Sequence, residues 1–166
     1  RSSAASDVYK RQVLMSEENY WYTIKNGIYG IRRACSERFK DFKAKVRPGD
    51  RLIVYVLKGK RCSDLCGSFV AILEVVSEWR ESNKPTWPDE IKKNEILYPW
   101  VIKVKAIING KVTFDEIKDE LSRKTGRKIN NIKGVRVLSM CFSRKPLSDD
   151  VSEFIEEKLR ESLKVK

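Results

Sequence analysis

Apolar positions along the chain predict several strands, and the clearest of them covers residues 51–58. Six successive apolar residues occupy both faces of this segment: Leu52, Ile53, Val54, Tyr55, Val56 and Leu57. A strand with two apolar faces lies in the interior of a sheet and is covered on both sides. Comparable runs predict strands at 67–77, 96–107 and 134–142, and shorter ones at 13–15, 28–31 and 111–114.

Capping residues and apolar spacing predict the helices. Ser16 precedes two glutamates, which is typical of a helix start, and Gly27 ends that helix. Ser148 or Asp149 caps a helix near residue 150, whose apolar residues recur every three or four positions: Val151, Phe154, Ile155, Leu159 and Leu163. Shorter helices are predicted at 36–45 and 115–124. Strands with peripheral helices predict the α+β class, built around a strongly curved sheet or small barrel.

The length of 166 residues fits one domain, and 41% hydrophobic with 35% charged residues indicates a folded core under a charged surface. Residues 1–12 have no periodicity and resemble adaptor-derived sequence, so the domain is predicted to cover 13–166. No apolar run reaches the length of a membrane span, and no secretion signal is visible. These features favour a cytoplasmic protein.

The chain carries a net charge of +12 and contains no histidine. Three basic residues and one acidic residue lie in 1–12, so the remaining chain still carries +10. Such a charge favours polyanionic partners, and nucleic acid fits better than a merely solubilising lysine surface because aromatic residues accompany the charge. The absence of histidine removes the commonest general base and metal ligand.

Four cysteines, Cys35, Cys62, Cys66 and Cys141, are expected to be reduced thiols in a cytoplasmic protein. Cys62 and Cys66 are close enough in sequence for a local disulfide. A four-cysteine zinc site is the remaining alternative, although the other two cysteines are scattered. No cofactor is predicted.

Three aromatic residues have polar neighbours in the sequence: Tyr29, Trp79 and Trp87. Trp87 lies between Pro85 and Pro88, which stiffen its loop. Such a ring either plugs one end of the barrel or forms one wall of a cage in which aromatic rings stack on a base. The run from Tyr29 to Arg32 and Arg33 favours the second interpretation, because it sets a ring beside cationic groups.

Four segments, in order, resemble the strands of EVE domains. Residues 26–31 look like the family's "VWGV" strand, and 46–56 look like "(I/V)KPGDKLLFYV". Residues 69–78 are similar to "FAGIVEVVSE", and Trp87-Pro88 with 98–104 is similar to "IWPP…YPYRVKV". The resemblance covers about residues 13 to 107, whereas 108–166 match only loosely.

The resemblance implies a PUA-like pseudobarrel, related to YTH domains, that binds DNA or RNA and takes a modified base into an aromatic cage. Tyr29 matches the first cage position, where the family has tryptophan, and Trp87 matches the second, with Trp79 as a further candidate wall. We expect the rim of the pocket to comprise Ser16, Gly30, Ile31, Arg32 and Arg33. Phosphate contacts are expected from the loops flanking the central strand: Lys40, Lys43, Lys45, Arg47, Lys58, Lys60 and Arg61.

Two other functions remain open. A general RNA-binding accessory protein would use the same basic surface without selecting a base. A small hydrolase, like those thought to occur among the related ASCH domains, would use the carboxylates Asp50, Asp89 and Glu90. No nucleophile–base pair accompanies these carboxylates, and Asp50 is better explained as a turn residue, so we predict that the domain is not an enzyme.

Overall fold

The computed structural model describes residues 9–59, 62–129, 138–141 and 145–163. Its strands are β1 (Lys10–Met15), β2 (Ile28–Ile31), β3 (Arg51–Val56), β4 (Ser68–Val75), β5 (Arg80–Glu81) and β6 (Trp100–Thr113). Its helices are α1 (Glu17–Asn26), α2 (Arg33–Arg38), α3 (Phe42–Lys45), α4 (Pro88–Lys93), α5 (Phe114–Thr125) and α6 (Asp149–Ser162).

One sheet organises these elements, in the order β1-β3-β4-β6-β2, with the short β5 also paired to β6. β1 runs parallel to β3, and the other pairs are antiparallel. β6 pairs with β2 and β5 through its first four residues and with β4 from Val104 onward. Because β6 passes from one set of partners to another along its length, the sheet curls into a half-barrel. The predicted α+β class with a curved sheet is confirmed.

Both faces of the sheet are buried, as the two apolar faces of β3 predicted. Leu52, Val54 and Val56 join the core inside the curl, which also contains Phe39 and Phe42. Ile53 and Tyr55 face the opposite way and pack in a second core under α5 and α6. Each core buries a different alternate set of β3 residues, because side chains alternate across a strand.

The first helix begins and ends where the sequence predicted. The Ser16 side chain accepts a hydrogen bond from the backbone N–H of Asn19 at 3.2 Å, and Glu17 and Glu18 occupy the first turn. Gly27 ends the helix at φ 66°, a left-handed conformation that glycine adopts readily. Ser148 likewise caps α6. These caps set the start of each helix and therefore the face that each turns to the sheet.

Some predicted boundaries shift. β1 begins at Lys10, so the expected domain boundary at residue 13 falls inside a paired strand. The predicted strand 96–107 and the short piece 111–114 form one continuous strand, β6. α2 begins at Arg33 rather than at residue 36. Most of the predicted strand 134–142 lies outside the described residues, and Ser139 within it forms a single bridge to Gln12.

The four cysteines are disulfide-bonded rather than reduced, and the local Cys62–Cys66 disulfide that the sequence left open is confirmed. Disulfides join Cys35 to Cys141 and Cys62 to Cys66, and this replaces the zinc alternative for the same four residues. The first disulfide links α2 to residues 138–141, which are 106 positions away in sequence. The second closes a loop of four positions.

The two disulfides should differ in their effect on stability. A cross-link stabilises mainly by restricting the unfolded chain, and this effect grows with loop length, so Cys141→Ser should lower the free energy of unfolding by roughly 2–4 kcal/mol. Cys66→Ser should cost about 2 kcal/mol less than Cys141→Ser. Denaturant unfolding with and without dithiothreitol measures both effects. Equal losses in the two variants, or a wild-type protein insensitive to reductant, would contradict this expectation.

Candidate functional site

A cavity of about 290 Å³ opens where β1 and the residue after β3 meet α1, α2 and residues 139–141. Its apolar lining includes Met15 and Leu57 from the strand ends and Met140 from the opposite side. The Cys35–Cys141 disulfide forms part of the wall. The cavity therefore lies at one end of the parallel pair β1 and β3, within the curl of the sheet.

A single buried carboxylate positions the aromatic side of this cavity. Glu90, in the first turn of α4, is fully buried and accepts hydrogen bonds from four backbone N–H groups. Two of these, at 3.1 Å each, belong to Thr86 and Trp87. The other two, at 2.8 and 3.0 Å, belong to Leu97 and Tyr98. Glu90 therefore ties together the two loop segments that carry Trp87 and Tyr98 into the cavity.

Trp87 lines the cavity from a tightly packed position. It is 2% exposed, and its ring centroid lies 4.5 Å from that of Tyr22 and 5.1 Å from that of Tyr98. Gly30 also lies against this ring: an added Cβ at Gly30 would be 3.0 Å from Trp87 Cζ2 and 2.8 Å from Tyr98 Cβ. Gly30 therefore leaves room for these side chains beside β2, and the indole is held in one orientation.

Tyr29 also lines the cavity and is 6% exposed. Its side chain belongs at the same time to the core inside the curl. Burial raises the pKa of the Tyr29 hydroxyl well above its ordinary value, an effect to which Tyr98 adds and which the Arg32 guanidinium opposes. The hydroxyl is therefore neutral at physiological pH and able to donate or accept a hydrogen bond.

A polar network includes two residues that line the cavity, Tyr98 and Asn19. The Tyr98 hydroxyl donates to Asp89 Oδ2 at 2.6 Å, and Asn19 Nδ2 donates to the Tyr98 oxygen at 2.7 Å. Burial and then the bonded Asp89 carboxylate raise the pKa of Tyr98, while Arg32 opposes them. Tyr98 therefore keeps its proton and serves as a fixed link between Asp89 and the cavity-lining Asn19.

Two arginines line the cavity, but only one was predicted. Arg32 and Arg38 both contribute to the lining and are otherwise exposed. Arg33 does not line the cavity; its side chain donates to the carbonyl of Ile96 at 3.3 Å. Since α2 begins at Arg33, Ala34, Cys35 and Arg38 share one helix face that turns to the cavity. Arg38 on this face therefore lines the same cavity as Arg32.

Three predicted site residues lie elsewhere. The Trp79 ring packs edge-on against Phe42, with centroids 4.8 Å apart, and its N–H donates to the Val46 carbonyl at 3.2 Å. Trp79 therefore braces α3 against the sheet and does not belong to the cavity wall. Ile31 is buried in the core. Ser16 caps α1 and acts on the cavity only by positioning Asn19.

The predicted phosphate contacts do not form one cluster. Lys40, Lys43, Lys45 and Arg47 precede β3 and Lys58 follows it, so a strand of six residues, about 20 Å long, separates the two groups. Only Lys58 is adjacent in sequence to a cavity-lining residue, Leu57. Lys60 and Arg61 lie outside the described residues.

Three of the basic residues before β3 already have partners. Lys43 Nζ lies 3.0 Å from the centroid of the Trp100 ring. Lys45 pairs with Asp41 at 2.9 Å. Arg47 Nε donates to the Ala44 carbonyl at 2.8 Å. Three of the residues predicted to bind phosphate therefore make contacts within the domain.

The carboxylates considered for catalysis have structural partners. Asp50 accepts hydrogen bonds from the backbone N–H groups of Tyr9 and Arg47, as expected of a turn residue. The four N–H groups described above satisfy the hydrogen-bonding capacity of the Glu90 carboxylate.

Within the described ranges, no cluster of three histidine, cysteine or acidic residues has the arrangement of a metal site. No helix in the same ranges is long and apolar enough to cross a membrane.

The sequence did not indicate most of the cavity lining, and the polar residues Asn19, Arg38 and Tyr98 and residues 139–141 are among those it missed. Tyr98 lies within a matched family segment, where the apolar pattern predicts only a strand residue. Asn19 carried a weaker signal: it is the third residue of α1, where a capping box has Glu or Gln, and it follows two glutamates in the first turn. Ser139 and Met140 could not be placed, because their position depends on the distant bridge to β1.

Comparison with known proteins agrees with this geometry. The model of the EVE domain family matches residues 10–158. The chain belongs to the EVE domain family. The EVE domain is 31% identical over 150 residues to the UPF0310 protein SSO2595 of Saccharolobus solfataricus, a match that covers 89% of this chain and 93% of that protein.

The fold of this EVE domain is also that of YTH domains. The YTH domain of Zygosaccharomyces rouxii MRB1, solved in complex with N6-methyladenosine RNA, superposes with a TM-score of 0.57 at 17% identity, covering 93% of this chain and 88% of that one. The Pho92 YTH domain, solved in complex with m6A, gives 0.59 at 16% identity, covering 96% and 91%. At these identities the likeness establishes a common fold.

The Glu90 carboxylate should be essential to the stability of the EVE domain. In Glu90→Gln, an amide NH2 replaces an oxygen and leaves buried N–H groups without an acceptor, so we expect a loss on the order of 2–5 kcal/mol in the free energy of unfolding. Glu95→Gln, which makes the same change at an exposed position, should change it by less than about 0.5 kcal/mol. Urea unfolding followed by tryptophan fluorescence measures both. If the two variants had similar free energies of unfolding, Glu90 would not be essential to the stability of the domain.

Proposed function

We propose that this EVE domain binds nucleic acid without catalysis and takes a single modified base into the cavity between Tyr29 and Trp87. The observation that supports this proposal most directly is that these two rings, far apart in sequence, line one cavity together with Arg32. Aromatic rings provide stacking surface for a base that has left its strand, and a cation beside them suits the attached phosphate.

The size and lining of the cavity support a base as the occupant. A volume of about 290 Å³ is at the lower end of the range of small-molecule sites, which suits one base better than a larger ligand. Mostly apolar walls with a few fixed polar groups are typical of a site that selects its ligand. Asn19, Tyr29 and Arg32 provide those polar groups.

The structural relatives support the same class of ligand. The two YTH domains with this fold were solved with N6-methyladenosine RNA and with m6A. In this EVE domain Tyr29 takes the place that the family resemblance gives to tryptophan. A smaller ring offers less stacking area but leaves a hydroxyl at the cavity.

Charge supports a polyanionic partner around the cavity. Arg32 and Arg38 line it, Lys58 follows the lining residue Leu57, and the whole chain carries +12. Arginine binds phosphate through a planar set of donors and remains charged at all physiological pH values. These cations would hold the strand while the cavity takes the base.

A paired tryptophan substitution tests the base site. Trp87→Ala should lower affinity for an oligonucleotide that carries the preferred base by about 1–3 kcal/mol, the usual contribution of stacking on one ring. Trp21→Ala is the matched control, because Trp21 is 53% exposed and does not line the cavity. Fluorescence anisotropy with modified and plain oligonucleotides measures both, and circular dichroism checks that each variant is folded.

The result separates a reader from a general binder. A reader loses its discrimination between modified and plain oligonucleotides in Trp87→Ala and keeps it in Trp21→Ala. The general RNA-binding alternative has one observation in its favour, the near-complete burial of Trp87. It would be supported if the wild-type protein bound both oligonucleotides equally and Trp87→Ala changed neither affinity.

Salt dependence tests the role of Arg32. Binding should weaken steeply as salt rises, and each phosphate contact to a single strand contributes about −0.7 to the slope of log K against log salt. Arg32→Gln should therefore make the slope shallower by about 0.7, whereas Arg33→Gln, at the neighbouring position outside the cavity, should leave it nearly unchanged. Titrations at four salt concentrations measure the slopes, and equal slopes in both variants would argue against a phosphate contact at Arg32.

A further inference from the structure

The Cys35–Cys141 disulfide joins two walls of the cavity that come from distant parts of the chain. Both cysteines line the cavity, Cys35 from α2 and Cys141 from residues 138–141. The second disulfide, Cys62–Cys66, lies outside the lining and spans four positions. One of the two disulfides is therefore part of the candidate site, whereas the other is not.

The middle of α2 is attached to the domain at Cys35. Within this helix Cys35 is the single buried residue, at 5% exposed, whereas Arg38, which also lines the cavity, is exposed. The ends of the helix are held separately, by the Arg33 N–H on the Leu97 carbonyl at 3.3 Å and by the buried Phe39 after the last turn. The part of α2 that faces the cavity therefore depends on the disulfide for its position.

The opposite wall is attached to β1 through Gln12. Gln12 forms the bridge with Ser139, and its carbonyl accepts a hydrogen bond from the Met140 N–H at 2.8 Å. Met140 is buried in the core inside the curl, whereas Cys141, the next residue, is partly exposed. Since Cys35 is almost fully buried, Cys141 carries the sulfur that an attacking thiol reaches more easily.

We propose that Cys35–Cys141 is a redox-active disulfide that controls the cavity. The oxidised form holds α2 and residues 138–141 at the spacing that accepts a base, and reduction by a dithiol releases these two walls and weakens binding. This inference rests on the proposed function and names a regulation of the same site.

The reaction is a thiol–disulfide exchange. A thiolate of the dithiol attacks the Cys141 sulfur, the S–S bond breaks, and Cys35 leaves as a thiolate that takes up a proton. The second thiol of the reductant loses its proton and attacks the sulfur of the first, which releases Cys141 as a thiolate that is protonated in turn. The protein disulfide gains two electrons, and the dithiol becomes a disulfide.

Reduction removes the covalent constraint on the width of the cavity. The two thiols that it leaves are only weak hydrogen-bonding groups, and α2 has no other buried residue to replace the bond. A ligand must then order the walls as it binds, and the entropy lost in this ordering lowers its affinity. By linkage, the ligand favours the oxidised over the reduced form by the factor by which reduction lowers its affinity.

The first measurement uses the double variant Cys62→Ser/Cys66→Ser, which leaves Cys35–Cys141 as the only cysteine pair. Fluorescence anisotropy compares the oxidised and the dithiothreitol-reduced protein on a single-stranded RNA nine-mer with a central N6-methyladenosine. Reduction should weaken binding at least about fivefold. In buffers of reduced and oxidised dithiothreitol, saturating nine-mer should shift the ratio of oxidised to reduced protein by the same factor, as measured by thiol alkylation and mass spectrometry.

The reciprocal double variant, Cys35→Ser/Cys141→Ser, keeps the Cys62–Cys66 disulfide and is the matched control. It should bind the nine-mer as weakly as the reduced protein does, and dithiothreitol should leave its affinity unchanged. Equal affinities of the oxidised and reduced protein in the first variant, or the same response to dithiothreitol in both variants, would overturn the inference.

Hydrogen exchange tests the cavity wall without nucleic acid. The Met140 N–H is bonded to Gln12, and the Val75 N–H, which donates to the Asp50 carbonyl at 2.8 Å, reports unfolding of the sheet. On reduction, the protection of Met140 should fall to at least about fivefold below that of Val75. Unchanged protection of Met140, or equal protection of the two amides in the reduced protein, would overturn the inference. Absence of binding by the oxidised protein would instead overturn the proposed function, and the exchange of Met140 would then decide alone whether the disulfide controls the wall.

Discussion

The candidate site depends on one buried carboxylate. Glu90 collects four backbone N–H groups, two from the segment before α4 and two from the segment before β6. A buried charge is tolerated only when its hydrogen-bonding capacity is met, and here the groups that meet it belong to the residues bearing the cavity rings. Trp87 and Tyr98 are therefore positioned by the requirement to satisfy Glu90, and a residue considered for catalysis from the sequence has an architectural role.

The curled sheet explains why a cavity exists beside a well-packed core. β3 is covered on both faces, by the core inside the curl and by α5 and α6 outside it. The packed side chains of the core end where β1 and β3 end. The space beyond Met15 and Leu57 is lined by α2 and by residues 139–141. The Cys35–Cys141 disulfide joins these two walls, so the shape of the cavity is coupled to a covalent link between distant parts of the chain.

The polar groups of the cavity form one connected system. Asp89, Tyr98 and Asn19 follow one another in a chain of hydrogen bonds whose direction is set by the carboxylate at its outer end. Arg32 lies beside the same two tyrosines and opposes the rise in their pKa that burial causes. A ligand bound there would meet fixed polar groups and a cation beside Tyr29 and Trp87, which line the same cavity. Such preorganisation lowers the entropy lost on binding.

Local sequence determined the elements with local causes: the Ser16 cap, the Gly27 stop, the two-faced strand β3 and the family segments that contain Tyr29 and Trp87. Those features depend on neighbours a few residues away, so a sequence pattern records them. Tertiary structure alone decided that Trp79 packs on Phe42 and that Asn19 meets Tyr98 across 79 positions. Those outcomes follow from strand pairing and from the satisfaction of buried polar groups, which bring together residues whose separation in sequence carries no signal of their contact.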